Sequence, residues 1–204
     1  VGFSMGGIIA ANYAAKSGPN SGLAGAVSFS GMLCVAKNIL ATPSGKHSEK
    51  VWQTALAWAL KATICKPNMG RFVRRGITVR DVEAVASVHD IDAQLVCRYN
   101  GFDTVRDYYR DMSAGGAGDE HGLRRLKGTK IPLLAVHAID DPIGIYESAL
   151  ADEVPETDHV MLLATKHGGH IGWPTGMLPS KNRWNFMIEI ALEFAAEVGG
   201  GGGD

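Results

Sequence analysis

Four short apolar runs of strand length are spread along the chain, and helix-like stretches separate or follow them. The runs cover residues 1–3, 24–29, 131–138 and 159–164. An alanine-rich stretch with high helix propensity follows the first run almost at once. Strands that alternate with helices predict a parallel sheet, in which ligands bind at the carboxyl ends of the strands. The predicted fold class is therefore α/β.

A long insertion interrupts this alternation between residues 34 and 128, and its pattern is helical and amphipathic. The most apolar part spans residues 51–60 and includes Trp52 and Trp58. In α/β enzymes an insertion after a strand commonly forms a cap over the site, so we expect this segment to lie over the functional residues. We interpret the two tryptophans as helix packing in preference to lipid contacts.

The chain is thus predicted to have four parts. Residues 1–33 form the first strand, a helix and the second strand; residues 34–128 form the insertion; and residues 129–198 return to the sheet. Residues 199–204 are a glycine-rich stretch that we expect to be a flexible tail. Because Val1 lies inside a strand that should be central, we expect the chain to be the C-terminal portion of a longer protein.

Composition excludes several classes of function. The chain has 204 residues, 46% of them hydrophobic, which fits one globular domain, and its net charge of −1 gives no electrostatic case for nucleic-acid binding. Cys34, Cys65 and Cys97 are odd in number and form no C-x-x-C pair. They favour buried thiols in a reducing intracellular compartment. No apolar run reaches the roughly 18 residues of a membrane span. Any membrane association is expected to come from residues upstream of the chain.

The first residues contain a G-x-S-x-G motif made of Gly2, Phe3, Ser4, Met5 and Gly6. In a nucleophile elbow, a strand turns sharply into a helix and presents one serine hydroxyl at the sheet edge. The turn is crowded, so we expect glycine at positions 2 and 6 for steric reasons. Because glycine supplies 26 of the 204 residues, chance remains an alternative explanation of this motif taken alone.

A serine nucleophile also needs a histidine base and a carboxylate that orients it. Asp140 and Asp141 follow the third apolar run, and His167 and His170 follow the fourth, which gives the chain order serine, acid, histidine of an elbow hydrolase. Chemistry alone does not separate the two aspartates. The residue before a proline is held extended, which favours Asp141. Either histidine could be the base.

A metal site is the competing interpretation of these residues. His167, His170 and an aspartate could bind zinc or iron in a hydrolase that has no serine nucleophile. That arrangement would leave the elbow at Ser4 without a role. The remaining histidines are interpreted as surface or satisfied core groups; they are His47, His89, His121, His137 and His159.

Four stretches resemble the embryogenesis-associated branch of the α/β-hydrolase superfamily. They are residues 2–7, 99–109, 138–142 and, above all, 166–173 with the sequence Lys-His-Gly-Gly-His-Ile-Gly-Trp. The resemblance extends over nearly the whole chain up to the glycine tail. The elbow belongs to the whole superfamily, whereas the last element is fairly specific to the branch. The resemblance implies a partial α/β-hydrolase fold that starts at the elbow strand and carries a helical cap.

The resemblance also implies a serine hydrolase that cleaves small or lipid carboxylic esters, of the carboxylesterase, acylglycerol lipase or phospholipase type. The family's nucleophile matches Ser4, its base matches His170 and its acid matches Asp141. The backbone N–H of Met5 matches one oxyanion donor. No metal or organic cofactor is implied.

Members of the family carry an additional N-terminal half that supplies a second oxyanion donor and several strands. Without these, we expect the 204 residues alone to be weakly active, with the first strand as an unpaired, apolar sheet edge. The alternative is a catalytically inactive hydrolase fragment that acts as a binding or interaction module. The genomic sequence upstream of Val1 discriminates, because an open frame that encodes a His-Gly-type loop favours the enzyme.

Overall fold

A computed structural model of the chain describes residues 1–40, 47–154, 157–175, 179–182 and 184–200. The strands in these ranges are β1 (Gly2–Phe3), β2 (Ala26–Phe29), β3 (Leu133–Ala138) and β4 (Val160–Thr165). They form one sheet in the order β1-β2-β3-β4, and every neighbouring pair is parallel. The parallel pairing predicted from the apolar runs is confirmed.

The strand register brings the carboxyl ends of the strands together. Phe3 pairs with Phe29, Phe29 with Val136, and Ala138 with Thr165. The loops after β1, β3 and β4 therefore leave the sheet at the same edge. This is the edge at which parallel sheets place their functional groups.

The described residues form two compact units, one made of residues 1–38 and 109–204 and the other of residues 39–108. The α-helices are α1 (Met5–Ser17), α2 (Val35–Leu40), α3 (His47–Leu60), α4 (Met69–Val73), α5 (Val79–Ala84), α6 (Val88–Ile91), α7 (Cys97–Asn100), α8 (Val105–Met112), α9 (Glu120–Lys127), α10 (Pro179–Asn182) and α11 (Asn185–Gly200). Short 3₁₀ turns lie at Gly18–Ser21, Lys66–Asn68 and Tyr146–Ala149, and π-helical turns at Lys61–Cys65 and Asp92–Val96.

The first unit is held together by an apolar core between the sheet and its helices. Its buried members are Val27, Phe29, Val136, Ala138, Trp173, Met187 and Phe194. The Trp173 ring packs edge-on against Phe29 at 6.1 Å and stacks on Phe186 at 5.6 Å. Each large apolar side chain buried here stabilises the fold by about 1.5–3 kcal/mol. This core fixes β2, β3 and the segment around Trp173 as one body.

The second unit is largely helical, as predicted for the insertion, and has a separate core. That core consists of Ala57, Cys65, Ile77, Val82, Val85, Ile91 and Leu95. Capping boxes begin two of its helices: Thr78 and Asp81 cap α5, and Ser87 and Asp90 cap α6. The prediction that the insertion lies over Ser4 stays a prediction.

The predictions for the cysteines and for the two tryptophans have different outcomes. Cys34, Cys65 and Cys97 are free and buried, as predicted. The assignment of the tryptophans to helix packing is wrong for Trp58, whose exposed fraction is 71%. Trp52 is also exposed. In α3, Ala57 and Leu60 pack into the second core, whereas Trp58 does not share their burial.

The edge of the sheet and the C-terminal helix were also the subject of predictions. In the part of the chain that the structure describes, β1 is an edge strand, as expected. Phe3 in this strand and Val1 just before it are exposed apolar residues. The last helix extends to Gly200, two residues into the predicted tail, and residues 201–204 lie outside the described ranges. No described helix is both long enough and apolar enough to span a bilayer.

Candidate active site

Ser4 occupies a sharp turn between β1 and α1. Its backbone has φ 51° and ψ −120°, a left-handed conformation that is strained for a residue with a side chain. Two hydrogen bonds hold it there: the Ser4 N–H donates to the Phe29 carbonyl at 2.9 Å, and the Ser4 carbonyl accepts from the Ile8 N–H at 3.0 Å. One bond continues the sheet ladder and the other begins the helix. The strand-turn-helix arrangement of a nucleophile elbow is therefore present.

The steric need for glycine holds at Gly2 but not at Gly6. A Cβ on Gly2 would lie 2.0 Å from the Gly6 carbonyl oxygen, so no larger residue fits. A Cβ on Gly6 would meet no described atom within 4 Å, which contradicts the steric reason predicted for this position. Gly7, which sequence reasoning passed over, is the crowded one, because its Cβ would lie 2.8 Å from the Ser28 hydroxyl. Close packing of α1 on β2 explains this requirement.

The predicted acid lies in the turn that follows β3. The Asp141 carboxylate is fully buried, and one of its oxygens accepts from the amides of Ile143 at 2.8 Å and Gly144 at 2.9 Å. The other contacts of this carboxylate are with the ring of His170. Its position is therefore fixed from two sides by backbone donors and an imidazole.

The predicted base lies in the glycine-rich loop that follows β4, and Trp173 anchors that loop. The backbone N–H of Trp173 donates to the Gly168 carbonyl at 3.0 Å, and the indole N–H donates to the Thr165 hydroxyl at 2.8 Å. A Cβ on Gly168 would lie 2.4 Å from the Trp173 ring, so glycine is required there. The buried indole thus explains why this loop has a glycine and an aromatic residue on either side of His170.

Ser4, His170 and Asp141 form a hydrogen-bonded chain. His170 Nε2 is 2.8 Å from Ser4 Oγ, and His170 Nδ1 lies 2.9 and 3.1 Å from the two Asp141 oxygens. A serine nucleophile, its histidine base and the acid that orients the base would make contacts of this kind. Three loops that leave the same sheet edge bring the residues together across 166 positions of sequence.

The second aspartate and the second histidine form a separate pair at the surface. Asp140 accepts from the Gly169 N–H at 2.9 Å and contacts His167 Nδ1 at 3.2 Å. The His167 ring is 87% exposed and contacts the Asp140 carboxylate rather than that of Asp141. Asp140 therefore holds the backbone of the loop that carries His170, a role that the sequence did not indicate.

Hydrogen bonding decides the ionisation state of the Asp141 carboxyl. Burial raises its pKa, but the His170 ring and the amides of Gly144 and Ile143 stabilise the carboxylate more strongly, and its pKa falls below the usual range. Asp141 is therefore ionised at neutral pH. An ionised carboxylate only accepts hydrogen bonds, so His170 donates from Nδ1, and in the neutral form of that ring Nε2 is the nitrogen that accepts from Ser4.

His137 departs from the prediction of a satisfied core group. Its Nε2–H donates to the Gly144 carbonyl at 2.8 Å, since a carbonyl can only accept. Its Nδ1 is buried and has no hydrogen-bond partner among the described residues. Burial lowers the pKa of His137, although the Gly144 carbonyl and Asp141 act in the opposite direction. This neutral imidazole holds the same Gly144 peptide that donates to Asp141.

Lowering the pH below about 6.5, the ordinary pKa of histidine, should therefore destabilise the wild-type chain more than His137→Gln. Below that pH the unfolded chain binds a proton that the buried imidazole excludes, so the free energy of unfolding falls as the pH drops towards the folded pKa. Glutamine can donate an amide N–H to Gly144 without titrating. Urea unfolding of both proteins on either side of that pH measures the difference.

The exposed His121 supplies the control for this experiment. His121→Gln should keep the wild-type loss of stability on acidification. Equal losses in the wild type and His137→Gln would contradict the assignment of His137 as a buried neutral group.

The structure bears on two further sequence interpretations, the oxyanion donor at Met5 and the competing metal site. Met5 is the first residue of α1, and the first amides of a helix have no partner within it, so its N–H beside Ser4 is open to a ligand. Within the described ranges, no three His, Cys, Asp or Glu side chains are grouped to hold a metal ion. His167 and His170 contact different carboxylates instead.

Comparison with known proteins gives relatives that cover most of this chain. Bovine phospholipase ABHD3 is 29% identical over 196 residues, which cover 95% of this chain and 44% of the relative. Embryogenesis-associated protein EMB8 of Picea glauca is 28% identical, and the alignment covers 86% of this chain and 37% of that protein. A monoacylglycerol lipase of Saccharomyces cerevisiae is 23% identical, and the alignment covers 85% of this chain and 37% of that protein. The chain thus spans less than half the length of these curated relatives.

No protein-family model matches the chain. Among solved structures, a monoacylglycerol lipase of Paleococcus ferrophilus is 18% identical, with a TM-score of 0.46, and the alignment covers 94% of this chain and 66% of that one. The curated relatives, the parallel sheet and the elbow at Ser4 agree with the resemblance seen in the sequence. The chain is thus similar to curated α/β-hydrolase relatives, and its parallel four-stranded sheet with helices is that of a partial α/β-hydrolase fold.

Proposed function

We propose that this chain carries the catalytic triad of a serine hydrolase that cleaves carboxylic esters through an acyl-Ser4 intermediate. The observation that carries the proposal is the 2.8 Å contact between Ser4 Oγ and His170 Nε2, with Asp141 on the other ring nitrogen. Nucleophile, base and orienting group then lie in line. The strained turn at Ser4 supports the same role, because strain of this kind is concentrated at functional sites.

Acylation begins with the proton of the Ser4 hydroxyl. His170 Nε2 accepts that proton as Ser4 Oγ attacks the ester carbonyl carbon. The imidazolium that forms is stabilised by the buried, ionised Asp141 at Nδ1. When the tetrahedral intermediate collapses, His170 returns the proton to the departing alkoxide, and the alcohol leaves.

The negative oxygen of the intermediate needs a hydrogen-bond donor beside Ser4. The Met5 N–H at the start of α1 is in position to serve, and the positive end of the helix dipole favours the same charge. A single donor of this kind contributes about 10²–10³ in rate. We assign Met5 as this donor through its backbone, so its side chain is free to vary.

Deacylation repeats the sequence with water. His170 takes a proton from the water as it attacks the acyl-Ser4 carbonyl, and the second intermediate expels Ser4 Oγ, which regains its proton from His170. The products are a carboxylic acid and an alcohol. The chain's own residues supply every proton transfer in this scheme.

We propose acyl lipids as the substrate class. Relatives of the chain are named as a phospholipase and as a monoacylglycerol lipase, and both names denote enzymes that act on acyl lipids.

Release of fatty acid tests the proposed function. The natural polypeptide that contains these residues, with anything that precedes or follows them, is incubated with a monoacylglycerol, a phosphatidylcholine and p-nitrophenyl butyrate, and the acid or nitrophenol released is measured. We expect hydrolysis that is lost in Ser4→Ala. No hydrolysis of any ester by the folded protein would favour the inactive binding module, and equal hydrolysis by Ser4→Ala would exclude Ser4 as nucleophile.

A further inference from the structure

The near-zero net charge of the chain conceals an uneven distribution. Residues 51–80 hold six of the chain's 20 basic residues and none of its 21 acidic residues. The rest of the chain is therefore acidic overall. A run of one sign on a folded unit creates a local potential that the total charge does not reveal. The structure shows where these charges lie.

Five of the six basic side chains in this stretch are exposed: Lys66, Arg71, Arg74, Arg75 and Arg80. The sixth, Lys61, donates to the Val85 carbonyl at 2.7 Å. The first acid after the stretch, Asp81, is contacted by Arg98 at 3.4 Å and caps α5, so its charge is already partly compensated. The exposed potential of this surface is consequently positive.

The same stretch exposes apolar side chains along one face of α3 and of the π-helical turn that follows it. Val51, Ala55, Trp58 and Ala62 recur at the spacing of a single helical stripe, and all four are exposed. The exposed fractions of Val51 and Trp58 are 60% and 71%. The buried Ala57 lies on the side that faces the unit's core. The stripe therefore faces away from that core.

Exposed apolar residues continue beyond α3. Ile64, Val73 and Val79 have exposed fractions of 48%, 59% and 54%. We call the exposed basic side chains of residues 51–80, the apolar stripe and these three apolar side chains the 51–80 surface; Trp52, off the stripe, is not part of it. Large exposed apolar residues in such numbers mark an interaction site rather than ordinary surface.

The combination of groups distinguishes among the partners. A nucleic acid would use the basic residues but leave the valines and Trp58 in water. A second copy of this chain would bring two positive surfaces together. An anionic bilayer satisfies both sets, since arginine and lysine pair with lipid phosphates while tryptophan and aliphatic side chains enter the interface.

We propose that the 51–80 surface docks on an anionic phospholipid bilayer. The proposal goes beyond the hydrolase activity and does not depend on it, because every residue concerned lies in the unit formed by residues 39–108 and none belongs to the triad. The chain would then lie on the membrane through charge and shallow insertion. Each exposed basic residue close to an anionic surface contributes about fivefold to binding.

Vesicle co-sedimentation of the protein tests the proposal. Vesicles of phosphatidylcholine alone are compared with vesicles of phosphatidylcholine and phosphatidylglycerol. We expect binding to the anionic vesicles only, weakened by salt. Arg71→Gln combined with Arg74→Gln should reduce the affinity by roughly 30-fold. The matched control, Arg106→Gln with Lys130→Gln, removes the same charge outside the surface and should bind nearly as the wild type does.

Trp58→Ala and Trp52→Ala separate insertion from charge. Both tryptophans lie on α3, but Trp52 is off the stripe, so only Trp58→Ala should weaken binding markedly. Circular dichroism shows whether each variant is folded. The proposal is overturned if the folded wild type binds neither vesicle or binds both equally, or if the control pair loses as much affinity as the arginine pair. Self-association abolished by Trp58→Ala, without vesicle binding, would assign the surface to a second copy.

Discussion

His170→Ala should lower kcat for ester hydrolysis by roughly 10⁴- to 10⁶-fold, whereas His167→Ala should leave it close to the wild-type value. The reason is geometric. His170 Nε2 is 2.8 Å from Ser4 Oγ and can take its proton, while the exposed His167 ring contacts Asp140. Steady-state kinetics on a soluble p-nitrophenyl ester measures both variants.

The two histidines make a matched pair for this experiment, because they lie three positions apart in one loop and each contacts an aspartate. A general loss of folding would affect both variants alike. If His167→Ala lost as much activity as His170→Ala, the assignment of the base would be wrong. KM values close to that of the wild type in both variants would show that the loss of kcat lies in the chemical step.

Asp141→Asn should lower kcat by about 10⁴-fold, and Asp140→Asn should cause a far smaller loss. An amide in place of the Asp141 carboxylate can donate to His170 Nδ1, which stabilises the tautomer with its proton on Nε2. That tautomer cannot accept the proton of Ser4. The substitution also removes the buried charge that stabilises the imidazolium. The pH profile of kcat/KM, together with the rate at neutral pH, reports both effects.

Asp140→Asn serves as the control because its side-chain oxygen can still accept from the Gly169 N–H. The loop that carries His170 should then keep its position. Similar losses in the two variants would mean that loop positioning, not orientation of the imidazole by Asp141, dominates. Thermal unfolding of each variant distinguishes that outcome from loss of the fold.

Patterns that are local in sequence predicted the sheet and the triad. The apolar runs around Ala24, Ile131 and His159 gave strands because a short buried strand needs a continuous apolar segment. The serine, acid and histidine could be ordered because loops after parallel strands meet at one edge. The position before a proline favoured Asp141 over Asp140, but either histidine could be the base, and the choice of His170 came from the resemblance to a known family.

Other features depend on contacts between distant segments and had no local signal. Gly7 is crowded by Ser28 of the neighbouring strand, while Gly6, which completes the motif, has free space among the described residues. His137 looked like an ordinary core residue, since its bond to the Gly144 carbonyl and its unpartnered Nδ1 arise only when the turn after β3 folds back. The exposure of Trp58 was missed because an apolar helix predicts burial without saying on how many sides.

Covalent labelling of Ser4 tests the central claim most directly. The folded natural polypeptide is treated with a fluorophosphonate, which reacts only with an activated serine, and the modified residue is located by mass spectrometry. We expect the added mass on Ser4, lost in Ser4→Ala, greatly reduced in His170→Ala and retained in His167→Ala. A folded wild-type protein that takes up no label, or that takes it up on a serine other than Ser4, would contradict the proposed triad.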